Sequence, residues 1–193
     1  MAKFVLMSGS VRRDSHNTAV LDTVRRLVAE RPADDGAPHE VVSLSVAEFP
    51  LYDWDLEQGA GSADVARAQE LVAGADALII STPAYNGEMS GALKNALDWL
   101  SRPGGASPLT GRTVALASAS PGARGAIDAQ PALAGVLRRC GAEVVDHEPV
   151  AIGKAGELAR TADGFTDPTV VAALSGLVDA TFLALRSLVA AGA

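Results

Sequence analysis

The segment ADALIISTP, residues 75–83, predicts a strand that is buried on both of its faces. Its centre, Ala77 to Ile80, is continuously apolar, whereas a strand with one face in water alternates apolar and polar residues. Pro83 ends the segment. Proline also disfavours a helical conformation at the preceding residue, Thr82, which favours an extended chain there. Strands of this kind belong to parallel sheets that helices cover on both sides.

Similar strand patterns alternate with amphipathic helical patterns along the rest of the chain. The predicted strands are residues 3–8, 40–44, 75–83, 112–118 and 143–152. A helix is predicted after each strand, with candidate N-caps at Ser15, Ser62 and Asp167, and segment 49–62 is predicted to be irregular. Five such units predict an α/β protein with a three-layer, doubly wound, five-stranded parallel sheet of flavodoxin-like order 2-1-3-4-5.

Composition and charge narrow the class of protein. A chain of 193 residues is expected to form one domain, residues 1–193. The net charge of -7 gives no reason to expect nucleic acid or an anionic membrane as a partner. The single cysteine, Cys140, excludes a disulfide within the chain and a Cys-rich metal site. We recognise no signal peptide and no apolar run of membrane-spanning length, so a soluble cytoplasmic protein is expected.

The loops after strands one, three and four form the candidate site, because doubly wound sheets bind ligands where the strand order reverses. The first of them, GSVRRDS at 9–15, precedes a helix, and a helix N-terminus favours an anion. Hydroxyl, amide and guanidinium donors gather there, namely those of Ser10, Arg12, Ser15, Asn17 and Thr18. The loop has neither the three glycines of a dinucleotide fingerprint nor a Walker pattern. A phosphate monoester site and a helix cap with surface arginines both remain open.

Three motifs resemble those of the NAD(P)H-dependent FMN reductase family. GSVRRDSHN (9–17) resembles its G-S-x-R-x-x-S-x-N phosphate loop. TPAYNGEMSGALKNALDWLS (82–101) resembles its P-x-Y-N…G-x-L-K-N-A-x-D-W signature, and SASPGARGA (118–126) resembles its small-residue loop after strand four. The resemblance extends roughly from Lys3 to Val150 and implies a flavodoxin-like fold that binds FMN non-covalently.

The resemblance also implies roles for individual residues. The FMN phosphate would be held by Ser10, Arg12, Ser15 and Asn17, with further contacts from His16 and Thr18. The isoalloxazine and ribityl side would be lined by Pro83, Ala84, Tyr85 and Asn86, and the opposite edge by Ser118 and Gly122. From the loop itself, Gly87 is expected to bring a backbone N–H close and to let the ring approach. The chain departs from the family pattern at Ala84, where the family often has Glu, and at Ala126, where it often has a second glycine. Both departures bear on substrate preference.

The implied function is an FMN-dependent oxidoreductase that takes hydride from NADPH or NADH and passes electrons to a quinone, a flavin or a similar small acceptor. No catalytic acid or base and no metal ligand is nominated, because the flavin carries the chemistry. Family members are commonly dimers or tetramers, so a homodimer or homotetramer is expected. The alternative is a flavodoxin-type electron carrier that does not oxidise NAD(P)H itself. A third possibility is an interaction protein that has lost its flavin.

Overall fold

The computed structural model describes residues 1–191 and contains eight strands and six α-helices. The strands are β1 (Lys3–Ser8), β2 (Glu40–Ser45), β3 (Ala77–Thr82), β4 (Thr113–Ala119), β5 (Glu143–Val144), β6 (Val150–Ile152), β7 (Arg160–Thr161) and β8 (Gly164–Phe165). The helices are α1 (His16–Ala29), α2 (Trp54–Gln58), α3 (Ala63–Ala73), α4 (Gly91–Leu100), α5 (Ala129–Arg139) and α6 (Pro168–Ala191).

The main sheet is parallel and has the strand order β2-β1-β3-β4-β5, which confirms the predicted doubly wound fold. Every residue of β3 is buried, as its continuous apolar run predicts. Side chains alternate between two cores. Phe4, Leu6 and Ile79 pack with α1 and α6 on one face, while Val5 and Leu78 pack with α3, α4 and α5 on the other.

The fifth strand differs from the prediction. Residues 143–152 were expected to form one strand, but β5 and β6 pair with β4 separately. Between the paired residues the chain is three residues longer than the stretch of β4 that it passes. The N–H of Val145 still donates to the carbonyl of Val114 at 2.9 Å, and residues 146–149 then leave the ladder. This stretch contains two acidic residues and Pro149, which has no N–H to donate to a neighbouring strand.

Two elements have no counterpart in the sequence prediction. The short helix α2 lies in the segment that was predicted to be irregular, and its cap is Asp53, whose carboxylate accepts from the N–H of Asp55. Along the chain, between β6 and α6, the strands β7 and β8 form a separate antiparallel hairpin. This hairpin packs against α1 and becomes important at the candidate site.

The last helix also corrects one expectation. By length and composition, Pro168–Ser187 would be long and apolar enough to cross a membrane, although no run of such length was recognised in the sequence. In the structure the helix packs Val170, Leu174 and Leu177 into the core that it shares with α1. One face of the helix therefore covers the sheet, while other apolar residues, among them Leu183, are exposed.

Candidate active site

The candidate site lies where the loops after β1, β3 and β4 meet at the carboxyl ends of the strands. The backbone N–H of Gly9 donates to the carbonyl of Ser81 at 2.8 Å, which extends the pairing of β1 with β3. The hydroxyl of Ser90, which caps α4, donates to the carbonyl of Gly9. The phosphate-loop motif is thus fixed to the start of the helix that follows β3.

The motif loop places its donors around the first turn of α1. The Oγ of Ser15 caps the helix by accepting from the N–H of Asn17 at 3.1 Å, and a hydroxyl that accepts in this way keeps its own proton to donate. The Oγ of Thr18 donates to the Oγ of Ser8 at 3.3 Å. The Oγ of Ser10 accepts from the N–H of Arg12, whose exposed guanidinium donates to the carbonyl of Asp14 at 2.7 Å.

The side chain of Asn17 is directed into the protein and connects α1 to two strands. Its Oδ1 accepts from the hydroxyl of Ser81 at 2.8 Å and from the N–H of Ala119 at 3.0 Å. Its Nδ2 donates to the carbonyl of Ala119 at 3.1 Å. Asn17 is 3% exposed, so these bonds are shielded from water. The side-chain amide of Asn17, a predicted phosphate ligand, is therefore hydrogen-bonded to the sheet.

His16 is the first residue of α1 and lies beside the same turn. Its Nδ1 is buried and has no hydrogen-bond partner among the described residues. Burial lowers the pKa of its imidazole, and the nearby positive charges of Arg12 and Arg160 lower that pKa further. The neutral ring thus lies in an electropositive environment that favours an anion.

The loop after β3 presents a tight turn and an exposed ring. Tyr85 and Glu88 exchange backbone hydrogen bonds at 2.9 and 3.1 Å across Asn86 and Gly87. Both central residues have positive φ, +54° and +86°, as a type I′ turn requires and as an Asn-Gly pair favours. The ring of Tyr85 is 57% exposed, whereas Pro83 is buried and Ala84 half-buried. A flat surface is therefore available beside the site.

The loop after β4 contributes mainly backbone groups to the site. The hydroxyl of Ser118 is buried, donates to the carbonyl of Gly125 at 2.7 Å and accepts from Nε2 of Gln130 at 2.8 Å. The carbonyl of Gly122 accepts from the N–H groups of Gly125 and Lys154 at 3.2 and 3.0 Å, and Gly122 is exposed. Ala126 has a φ of +62°, a conformation that glycine adopts more easily, which explains why glycine is frequent at this position in the family pattern.

Sequence reasoning missed the segment that closes the side of the site. Residues 153–165, which we call the return segment, run from the end of β6 to α1, and a Cβ atom built on Gly156 would lie 3.9 Å from the Cε1 of His16. The one available signal was the Asp163-Gly164 pair, a dipeptide typical of hairpin turns. Gln130 and Ser81 position Ser118 and Asn17 through buried hydrogen bonds. These bonds left no signal in the sequence motifs.

These residues suit the phosphate end and the flat ring of FMN. The capped N-terminus of α1, two hydroxyls and a guanidinium match a phosphate monoester, and the unpartnered Nδ1 of His16 adds a polar atom beside them. Among residues 1–191, no group of three or more His, Cys, Asp or Glu side chains is arranged to hold a metal ion.

Comparison with known proteins shows the family of the chain. Residues 2–157 match the family described as NADPH-dependent FMN reductase. The chain is 39% identical over 135 residues to a 2-hydroxy-1,4-benzoquinone reductase of a Burkholderia species, covering 69% of each protein. It is 38% identical over 135 residues to a quinone reductase of Escherichia coli K12, covering 69% of this chain and 68% of that one.

A solved structure extends the similarity over almost the whole chain. FerB, a flavoenzyme NAD(P)H:(acceptor) oxidoreductase from Paracoccus denitrificans, superposes with a TM-score of 0.85 at 30% identity. The superposition covers 97% of this chain and 98% of FerB. The chain therefore belongs to the NADPH-dependent FMN reductase family and is a flavodoxin-like oxidoreductase that uses FMN and NAD(P)H.

Proposed function

We propose that this protein oxidises NADPH or NADH and reduces a small quinone at a single FMN site. The observation that carries the proposal is the convergence of the capped N-terminus of α1 with the loops after β3 and β4. Bound FMN would accept a hydride and release electrons to the acceptor. The named quinone reductases among the relatives support a quinone as the acceptor class.

The first turn of α1 would bind the phosphate end. Ser10 and Ser15 would donate hydroxyl protons, the backbone N–H of His16 lies at the same turn, and Arg12 would supply the positive charge. Thr18, whose hydroxyl donates to Ser8, lies in the same turn. The amide of Asn17 would act by holding this turn against β3 and β4.

The loops after β3 and β4 would orient the ring. Tyr85 offers an exposed aromatic face, and the turn at Asn86-Gly87 would present backbone groups to the ring edge. Pro83, Ala84, Ser118 and Gly122 would shape the cleft rather than donate charge. We assign no protein acid or base to the reaction, because hydride transfer to a flavin needs position and electrostatics from the protein.

We also propose that residues 1–193 act as one FMN-binding domain in a cytoplasmic homodimer or homotetramer, without nucleic acid or membrane as a partner. The acidic net charge of -7 and the family's common assembly support this proposal. The exposed Leu51, Trp54 and Tyr85 support a subunit contact near the site.

The test is anaerobic titration of the FMN-loaded protein with NADPH and, separately, with NADH, followed at the flavin absorption band. Bleaching within seconds and recovery of the band on adding a benzoquinone are expected. Binding of FMN without bleaching would identify an electron carrier, and failure to bind FMN would overturn the proposed site.

Two neighbouring arginines provide a matched pair for the binding step. Arg12 contacts the loop through its guanidinium, whereas Arg13 is an exposed neighbour with the same charge. We expect Arg12→Gln to weaken FMN binding by roughly tenfold and Arg13→Gln by less than about twofold. Equal losses in both variants would show that only the net charge of the loop matters.

A further inference from the structure

The carbonyl of Gly9, the first residue of the phosphate-loop motif, is held by a side chain from another element. Gly9 is buried, and a buried carbonyl needs a hydrogen-bond donor in place of water. The hydroxyl of Ser90, 81 positions later in the chain, supplies that donor. The N–H of the same glycine donates to the carbonyl of Ser81 at 2.8 Å. The start of the loop is thus fixed by β3 and by α4.

Ser90 uses its hydroxyl for two bonds. The oxygen accepts from the N–H of Leu93 at 3.1 Å and so caps α4, while the proton is donated to the carbonyl of Gly9. Ser90 is 3% exposed, so both bonds are shielded from water. The cap of α4 and the anchor of the phosphate loop are therefore the same group.

Close packing accompanies these bonds. A Cβ atom built on Gly9 would lie 3.0 Å from the Cδ2 of Leu93 and 3.3 Å from the Cδ of Pro83. The backbone of Gly9 therefore lies directly against the first turn of α4 and the end of β3. The next residue, Ser10, carries one of the proposed phosphate donors. Because the two residues share a rigid peptide unit, a shift of Gly9 also moves Ser10.

We propose that Ser90 is a positioning residue, which fixes the phosphate loop relative to the loop that carries Tyr85. The inference rests on the proposed function, in which the first loop binds the phosphate of FMN and the second its ring. FMN has to reach both loops at once, whereas riboflavin has no phosphate and needs only the second. The hydroxyl of Ser90 acts through Gly9 and favours FMN over riboflavin, because it sets the spacing of the two loops before the ligand arrives.

The test compares FMN with riboflavin in titrations of the flavin-free protein, followed by the quenching of flavin fluorescence. Ser90→Ala removes the donor, and Ser90→Thr keeps the hydroxyl. Ser90→Gly also removes the donor but costs less capping energy, so it provides a second variant without the hydroxyl. The matched control is Ser62→Ala, because the Oγ of Ser62 caps α3 in the same way, by accepting from the N–H of Val65 at 3.5 Å.

We expect Ser90→Ala and Ser90→Gly to weaken FMN binding about fivefold and riboflavin binding less than about twofold, because one buried hydrogen bond to the phosphate loop is lost. Ser90→Thr and Ser62→Ala should keep the preference of the wild type for FMN. Equal losses for the two flavins, unchanged FMN binding, or the same loss of preference in Ser90→Thr or Ser62→Ala would each overturn the role of Ser90. A wild type that binds FMN no more tightly than riboflavin would instead overturn the proposed phosphate site.

A second readout follows the phosphate loop without any flavin. Hydrogen exchange of the Gly9 amide is measured by NMR relative to the amide of Ile79, which lies in the centre of β3. We expect this ratio to rise about fivefold in Ser90→Ala, because the loop opens locally more often, and to stay unchanged in Ser62→Ala. An unchanged ratio in Ser90→Ala would show that Ser90 does not hold the loop.

Discussion

At the scale of single residues, Asn17 constrains the candidate site through its buried amide. The motif predicts that this residue belongs to the phosphate loop, and it does lie in the first turn of α1. Its three side-chain hydrogen bonds to Ser81 and Ala119 could not be predicted, because they join residues 64 and 102 positions apart. Ser118 is a similar case, since Gln130 and Gly125 take up its hydroxyl. A motif gives the residue type at a site, whereas the direction of the side chain depends on distant chain segments.

We predict that Asn17→Ala lowers the free energy of unfolding by about 3 kcal/mol, because it leaves buried groups on β3 and β4 without partners. The variant should also weaken FMN binding. Urea denaturation and flavin titration measure the two effects. Asn95→Ala is the control, since Asn95 also bonds to distant backbone, at Pro50 and Tyr52, but lies on α4. It should lose stability and keep its FMN affinity, and an equal loss of affinity in both variants would contradict the role of Asn17.

His16 gives a prediction for the dependence of stability on pH. Its pKa is lowered in the folded protein by burial and by Arg12 and Arg160, from the 6.5 that is ordinary for histidine. The unfolded chain therefore binds a proton at His16 more readily, so its contribution to stability is present above pH 6.5 and is lost as the pH falls toward the folded pKa.

We expect His16→Gln to lose less unfolding free energy than the wild type between about pH 7.5 and about pH 5.5 in the absence of FMN. Urea denaturation at the two pH values measures this difference. Arg160→Gln keeps the histidine and removes one of the neighbouring charges. Its loss of unfolding free energy should lie between those of the wild type and His16→Gln. A slope in His16→Gln as steep as in the wild type would show that other groups cause the pH dependence.

At the scale of elements, local patterns predict the main strands and caps because their signals are contained in short segments. Ser15 and Ser62 cap α1 and α3 as expected. The division of the fifth strand and the β7–β8 hairpin were missed for a common reason. Strands of two or three residues are too short to show periodicity, and they are held by contacts with β4 and α1.

The docking of this hairpin can be tested at Gly164. Its φ is +99°, and a Cβ atom would collide with both Thr23 and Ala19. We expect Gly164→Ala to cost at least about 3 kcal/mol of unfolding free energy, since strain and overlap add. Gly36→Ala is the matched control, because Gly36 also has positive φ, +76°, but nothing lies within 4 Å of the added atom. We expect Gly36→Ala to lower the unfolding free energy by about 1 kcal/mol. Similar losses for the two variants in urea denaturation would show that the hairpin can move away from α1 at little cost.

At the scale of the whole molecule, the sheet separates two cores that are covered by different helices. The pattern of alternating βα units predicted this arrangement, because parallel strands need crossover helices on both faces. The sequence did not show that the last helix, beyond the family match, supplies Val170, Leu174, Leu177 and Val178 to one core. That contribution depends on which face of an almost entirely apolar helix meets the sheet.

We predict that the two cores unfold together. Leu177 is 2% exposed in the core beneath α6, whereas Leu183 on the same helix is 67% exposed. Leu177→Ala should lower the free energy of unfolding by about 3 kcal/mol and Leu183→Ala by less than about 0.5 kcal/mol. In a Trp54→Phe background, the fluorescence of Trp99 reports the opposite core. Its transition should shift as much as the circular dichroism signal in Leu177→Ala. Separate transitions would show that the cores are independent.

The interruption of the fifth strand at residues 146–149 has a consequence for the behaviour of the protein at high concentration. A free sheet edge is a template on which a strand of another molecule can add, and such addition is a first step toward fibrils. On this side of the sheet the edge is divided into ladders of two and three residues, and the stretch between them contains acidic side chains and a proline. An incoming strand finds no continuous row of donors and acceptors there, so this edge resists intermolecular strand addition.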